Sequence, residues 1–233
     1  MKQVLDKIDR AVLSMLNKIV PPMHGYYLMT LSNRSGVRLF RHNLNHAFLM
    51  TENPSVGCTG ALCHFDALPV RHNAIDCVYM HHVLDEVASP HKCLREAADT
   101  VVPNGFLIIV GYNPWSLLGF WRRCRMAKHT ELGCQQVSAA RLQDWLTLLD
   151  FRVEKTEFGV FHLPVPMGFL GRPLTWLGRL LSWGHIPTGG VYVMVARKLV
   201  AGTTPIRPKW RPLRSRELPV VAPTAREISV RNR

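Results

Sequence analysis

His81 and His82 stand side by side at the end of an apolar run, Ile75 to Met80, with Asp85 and Glu86 shortly after. A neutral imidazole titrates near working pH, so either ring is suited to taking a proton from a hydroxyl or an amine. The pair suits a structural role equally well, one ring packed between sheet and helix and the other bonded to backbone. Two further acids follow short apolar runs. Glu52 comes after Ala47–Met50, about twenty residues beyond the polar turn at Ser32–Gly36, where an acid in a nucleotide-binding α/β sheet accepts hydrogen bonds from ribose hydroxyls. The bland alternative is a solvated Glu in the turn before Pro54. Asp66 precedes a Leu-Pro corner, which an Asp side chain can cap through its own backbone. No Ser-His-Asp order and no H-E-x-x-H pattern accompanies these residues.

Such groups need strands to hold them. Ile75 to Met80 and Phe106 to Val110 lack the alternation of a strand wetted on one face, so they read as strands covered on both faces. Tyr26–Leu31, Ala47–Met50 and Leu62–Asp66 read as three earlier strands. Phe151–Phe158 and Val191–Leu199 alternate and read as two later ones. Residues 1–20 place Val4, Leu5, Ile8, Val12, Leu13, Leu16, Ile19 and Val20 on one stripe of an amphipathic helix, ended by Pro21-Pro22. Pro90–Val102 reads as a helix with proline in its first turn, followed by a Pro-Asn-Gly turn. Ser138–Asp150 reads as a helix capped by Ser138. Val37–Asn45 mixes Arg, His and Asn with Val, Leu and Phe, as a short helix or an irregular turn would. Strands alternating with helices predict an α/β fold: a doubly wound, mostly parallel seven-stranded sheet with helices on both faces.

The stretch from His64 to Asn113 also resembles the second half of a class I S-adenosylmethionine-dependent methyltransferase of the type 11 kind. Asp66-Ala67-Leu68-Pro69 resembles a shortened form of that family's D-A-x-x-L-P-F element. Tyr79-Met80-His81-His82-Val83-Leu84 resembles its strand-four motif, and Leu94-Arg95-Glu96-Ala97 through Pro103-Asn104-Gly105 resembles L-R-E-x-x-R-x-L-x-P-G-G. The resemblance covers roughly residues 25–200 and is weakest at the start. The family's first strand ends in a glycine-rich turn with an acid, whereas Ser32-Asn33-Arg34-Ser35-Gly36 has one glycine, no acid and a bulky cation. The resemblance implies the Rossmann-like methyltransferase fold and S-adenosylmethionine as cofactor. Ser32 and Gly36 would be remnants of its loop, Glu52 would meet the ribose, and Asp66 the adenine amino group, with Ala67 and Leu68 on the ring. His81 and His82 would be the candidate catalytic pair. It implies methyl transfer to a small-molecule or amphipathic acceptor. The rival expectation is a non-catalytic methyltransferase-fold protein, an interaction or membrane-surface module that lost its first-turn glycines.

Composition bounds these expectations. The chain has 233 residues and a net charge of +13, enough for one domain plus a tail. We expect a domain over 1–200, with 161–190 inserted between the last two strands, and a basic Pro-rich disordered tail over 201–233. No run approaches a bilayer span, and the charged N-terminal helix is unlike a signal peptide. The expected location is cytoplasmic, or peripheral to the inner face of a membrane. The six cysteines form no C-x-x-C and are expected as thiols in a reducing compartment. Cys58, Cys63 and His64 do not make a closed metal site, so no metal is expected. Residues 112–125 and 161–190 mix large apolar side chains with arginine, as a lid over an apolar substrate, an interfacial element or additional core would. The basic segments offer a surface to anionic membrane or an acidic partner. Nucleic acid is not expected, and the sequence does not set the oligomeric state.

Overall fold

A computed structural model describes residues 2–56, 60–116, 119, 136–159 and 189–200, residues 2–7 as backbone only. Seven strands form one sheet in the order β3-β2-β1-β4-β5-β7-β6. They are β1 (Tyr27–Leu31), β2 (His46–Thr51), β3 (Ala61–Leu62), β4 (Ile75–His81), β5 (Val101–Tyr112), β6 (Phe151–Gly159) and β7 (Val191–Lys198). The first five run parallel, while β7 is antiparallel to both β5 and β6. The expected doubly wound, mostly parallel sheet is therefore present.

Strand β4 shows how the layers arise. Its residues alternate between two apolar clusters, because successive side chains of a strand point to opposite faces. Val78 and Met80 join Cys93, Leu94, Ala97 and Ala98 of α2 (Pro90–Thr100) and Leu142 and Leu146 of α3 (Ala139–Leu148). Cys77 and Tyr79 join Ile8, Val12, Leu16 and Ile19 of α1 (Lys2–Ile19). Helices thus cover both faces, but unequally. The β1–β2 connection contains no helix, and Val37–Asn45 is irregular. Phe40 and Leu44 of that connection tuck under α1, which covers this face in place of a crossover helix.

The limits of the third and fifth strands differ most from the sequence reading. The third strand is two residues long, because Glu52 Oε1 accepts from Phe65 N at 2.7 Å and Ala67 N bonds back to His64 O. Cys63 N still bonds to Thr51 O, and residues 64–66 turn away from the ladder. Strand β5 begins at Val101, directly after α2. The Pro103-Asn104-Gly105 turn is taken up inside it, with Asn104 at a φ of 65°; pairing passes from Ile75–Val101 to Cys77–Phe106, so β5 carries three more residues than β4 across this irregularity. Ser138 does cap α3, its Oγ accepting from Arg141 N at 3.3 Å. The described residues all lie within one compact unit, Met1–Val200. Most of segment 112–125, all of 161–188 and the tail from 201 fall outside them.

Candidate functional site

In the order 3-2-1-4-5, chain direction across the sheet reverses between β1 and β4. Their carboxyl ends therefore flank a crevice, the usual ligand position in such sheets. The segments after β1, β2, β3 and β4 bring the candidate residues to this edge. Ser32, one residue past β1, is fully buried. Its Oγ accepts from Arg34 N at 3.1 Å and lies 3.5 Å from His81 Nδ1. Gly36 has a φ of +74° and nothing near the position of a Cβ, so it serves the turn's backbone rather than close packing.

Glu52 follows the last residue of β2, with His64 Nδ1 3.8 Å from the oxygen that takes Phe65 N. Asn33 Oδ1 accepts from Glu52 N at 2.9 Å and from Thr51 Oγ1 at 3.2 Å, tying the turn after β1 to the end of β2. Asp66 and Ala67 are exposed beside this acid, while Leu68 is buried in the cluster beneath α2 and α3.

His81 closes β4 in phase with Tyr79, so its ring lies on the α1 face. It is 3% exposed. Its Nε2 lies 3.5 Å from Asp9 Oδ1 of α1. His82 is also buried and adopts a left-handed backbone, φ 57°, a costly conformation for a residue with a side chain. Its ring stacks on Tyr112 with centroids 4.2 Å apart and meets His81 edge-on at 4.8 Å. Its Nδ1 lies 3.6 Å from Asp85 Oδ2, which accepts from Tyr112 N at 2.9 Å. Both histidines are therefore buried at this edge beside Tyr79 and Tyr112, each with a carboxylate within 4 Å.

Arg34 was visible in the sequence only as an unexpected bulk. In the structure it crosses the crevice. Its Nη2 and Nε donate to Glu86 Oε1 at 2.9 and 3.1 Å, and its Nη1 donates to the Tyr112 hydroxyl at 3.1 Å. Burial works against the guanidinium charge, but Tyr112 and Glu86 more than offset it and hold its pKa above the ordinary value. The bridge joins the segment after β1 to the segment after β4 and the end of β5. Sequence reasoning also missed Asp9, which lies on a helix read only for its apolar stripe.

The family model described as "Methyltransferase domain" matches residues 24–109. The chain is 29% identical over 196 residues to the Escherichia coli (strain K12) protein YafS, covering 81% of this chain and 75% of that one. Among solved structures, it resembles a chain of the Haloferax volcanii complex between the Trm112 methyltransferase activator and a methyltransferase. That match has a TM-score of 0.63 and 16% identity, over 81% of this chain and 89% of the other. It also resembles a SAM-dependent methyltransferase of Thermotoga maritima, with a TM-score of 0.55 and 14% identity, over 82% and 89%. Strand order and these matches agree: the described residues have the fold of class I methyltransferases, and residues 24–109 are similar to a methyltransferase domain.

Proposed function

We propose that this protein transfers a methyl group from S-adenosylmethionine to a small or amphipathic acceptor bound at the β4–β5 end of the crevice. The reading rests on Ser32, Glu52 and His81 lying at the carboxyl ends of β1, β2 and β4, with Asp66 in the turn that follows β3. Glu52 and Asp66 serve the ribose and adenine side. Glu52 spends one oxygen on Phe65 N and keeps its other oxygen for a ligand. His81 and His82 are the candidate proton acceptors at the acceptor end, and the fold's contribution is positioning for in-line displacement. Thermal unfolding with S-adenosylmethionine or its demethylated product tests the cofactor. At ~100 times its dissociation constant a ligand adds about 2.7 kcal/mol, several degrees for a domain of this size. Asp66→Ala is the cleaner variant, because Glu52→Ala also strips Phe65 N of its acceptor. We expect Asp66→Ala to weaken binding by about 1–3 kcal/mol.

The Arg34–Glu86 bridge favours a second reading, a methyltransferase fold that no longer takes the cofactor and serves as an interaction module. An ion pair with 17% and 21% side-chain exposure lies across the switch-point crevice. Absence of any cofactor binding at millimolar concentration, by calorimetry on the unmodified chain, would decide for this reading. The partnership of the Haloferax volcanii neighbour with an activator makes a small protein partner a fitting binding target in that case.

A further inference from the structure

We propose that Asp9, His81 and His82 form a binding site for a divalent transition-metal ion. One potential ligand atom from each residue lies within 4.8 Å of the other two, and the three come from two separate elements, α1 and the end of β4. Two imidazoles and one carboxylate are a donor set that zinc, iron(II), cobalt(II) and nickel(II) accept. The Asp9–His81 spacing fits the chemistry, and 4.8 Å bounds the other two. Ligand atoms around a tetrahedral zinc at its usual bond lengths are about 3.3 Å apart, and His81 Nε2 lies 3.5 Å from Asp9 Oδ1.

The surroundings fit too. Among the described residues, no donor makes a hydrogen bond to the buried Asp9 Oδ1, although the facing imidazole nitrogen lies just beyond the usual hydrogen-bond length. A metal-bound His is normally oriented by an oxygen acceptor at its other ring nitrogen. Ser32 Oγ lies 3.5 Å from His81 Nδ1, at the limit of a hydrogen bond, and Asp85 Oδ2 lies 3.6 Å from His82 Nδ1, close enough to close on it when an ion binds. Ser32 is held in turn by Arg34 N, and Asp85 by Tyr112 N. The Asp9 side chain, 24% exposed, leaves a way in.

The inference is independent of cofactor binding, but it changes what the histidines do. A bound ion occupies the lone pair that a general base needs and supplies a Lewis acid, which lowers the pKa of a coordinated hydroxyl or water.

Untagged full-length protein, stripped with chelator and titrated with cobalt(II), tests the site. We expect one saturable site per chain, with visible absorption of nitrogen- and oxygen-ligated cobalt and no near-ultraviolet thiolate band. Zinc should compete for it. Asp9→Asn and His81→Gln, each shown folded by circular dichroism, should weaken binding about tenfold or more. A Cys63→Ser, His64→Ala control should leave it unchanged. Should either variant fail to fold, histidine-ring NMR of the unmodified chain answers the same question: zinc must shift the His81 and His82 rings among the eleven histidines. The proposal is overturned by no saturable binding, by a thiolate band, by affinity unchanged in the folded variants, or by zinc shifts confined to other histidines.

Discussion

Arg34 and Asp9 share one property: each is a charged residue whose role depends on a partner distant in sequence. Arg34 meets Glu86 and Tyr112, 52 and 78 positions away, and Asp9 meets His81. Truncating one member of a largely buried pair leaves the other desolvated and unmatched. We therefore expect Arg34→Ala to lower stability in urea by about 1–3 kcal/mol, since hydrogen bonds to charged groups lie in that range. A loss below half a kcal/mol would mean that water replaces the guanidinium freely and that the bridge is only a surface pair. Sequence spacing made Ser32, Glu52, Asp66 and His81 legible as candidates because each follows an apolar run, and strand ends are legible as the point where such a run stops. It could not show Asp9, since an acid beside a hydrophobic stripe looks solvated. What turns Asp9 inward is the phase of β4, which carries His81 to the α1 face two residues after Tyr79.

At the level of elements, the hydrophobic runs were legible and their hydrogen-bonded limits were not. The fourth strand was read to within one residue, because burial on both faces leaves a continuous apolar signature. The third was read too long, since nothing in Leu62–Asp66 reveals that Glu52 captures Phe65 N. The same burial sets cysteine chemistry. Cys77 in β4 and Cys93 in α2 are fully enclosed, and desolvation pushes both thiols well above their ordinary pKa. Thiolate is the reactive form, so iodoacetamide followed by peptide mass mapping should leave both unmodified in the native protein at pH 8. Rapid labelling of Cys77 under those conditions would show that the β1–β4–β5 core opens. Asp76 supplies a second element-level test. Its Oδ2 accepts from Tyr26 N and Tyr27 N at 2.8 and 2.9 Å, fixing the entry of β1 beside β4. Asp76→Ala should cost about 1–3 kcal/mol, from two donors losing a charged acceptor. Asp76→Asn, which keeps an acceptor oxygen, should recover part of that.

For the whole molecule the governing quantity is charge. Of the net +13, residues 201–233 contribute +6 through eight basic and two acidic side chains, leaving +7 on residues 1–200. We expect a chain cut after Val200 to fold with an unfolding midpoint close to that of the full chain, because the apolar clusters of the described residues all lie before that point. Such a chain can then separate two sources of membrane affinity. Trp115, at the start of the segment that continues to Arg122, Arg123 and Arg125, is 85% exposed. An exposed Trp in a sequence segment that also carries arginines suits the headgroup level of a bilayer, where the indole is partly desolvated and the guanidinium meets phosphate. No helix among the described residues is long and apolar enough to cross a membrane. The truncated chain should cosediment with anionic vesicles and not with neutral ones. Its binding should fall as salt shortens the screening length to about 8–10 Å near physiological ionic strength, and Trp115→Ala should weaken it with the charge unchanged. If only the full chain binds, attachment is non-specific attraction to the C-terminal charge. A truncated chain that ignores both vesicle types at low salt would instead leave Trp115 to contact an acceptor or a protein partner at the crevice edge.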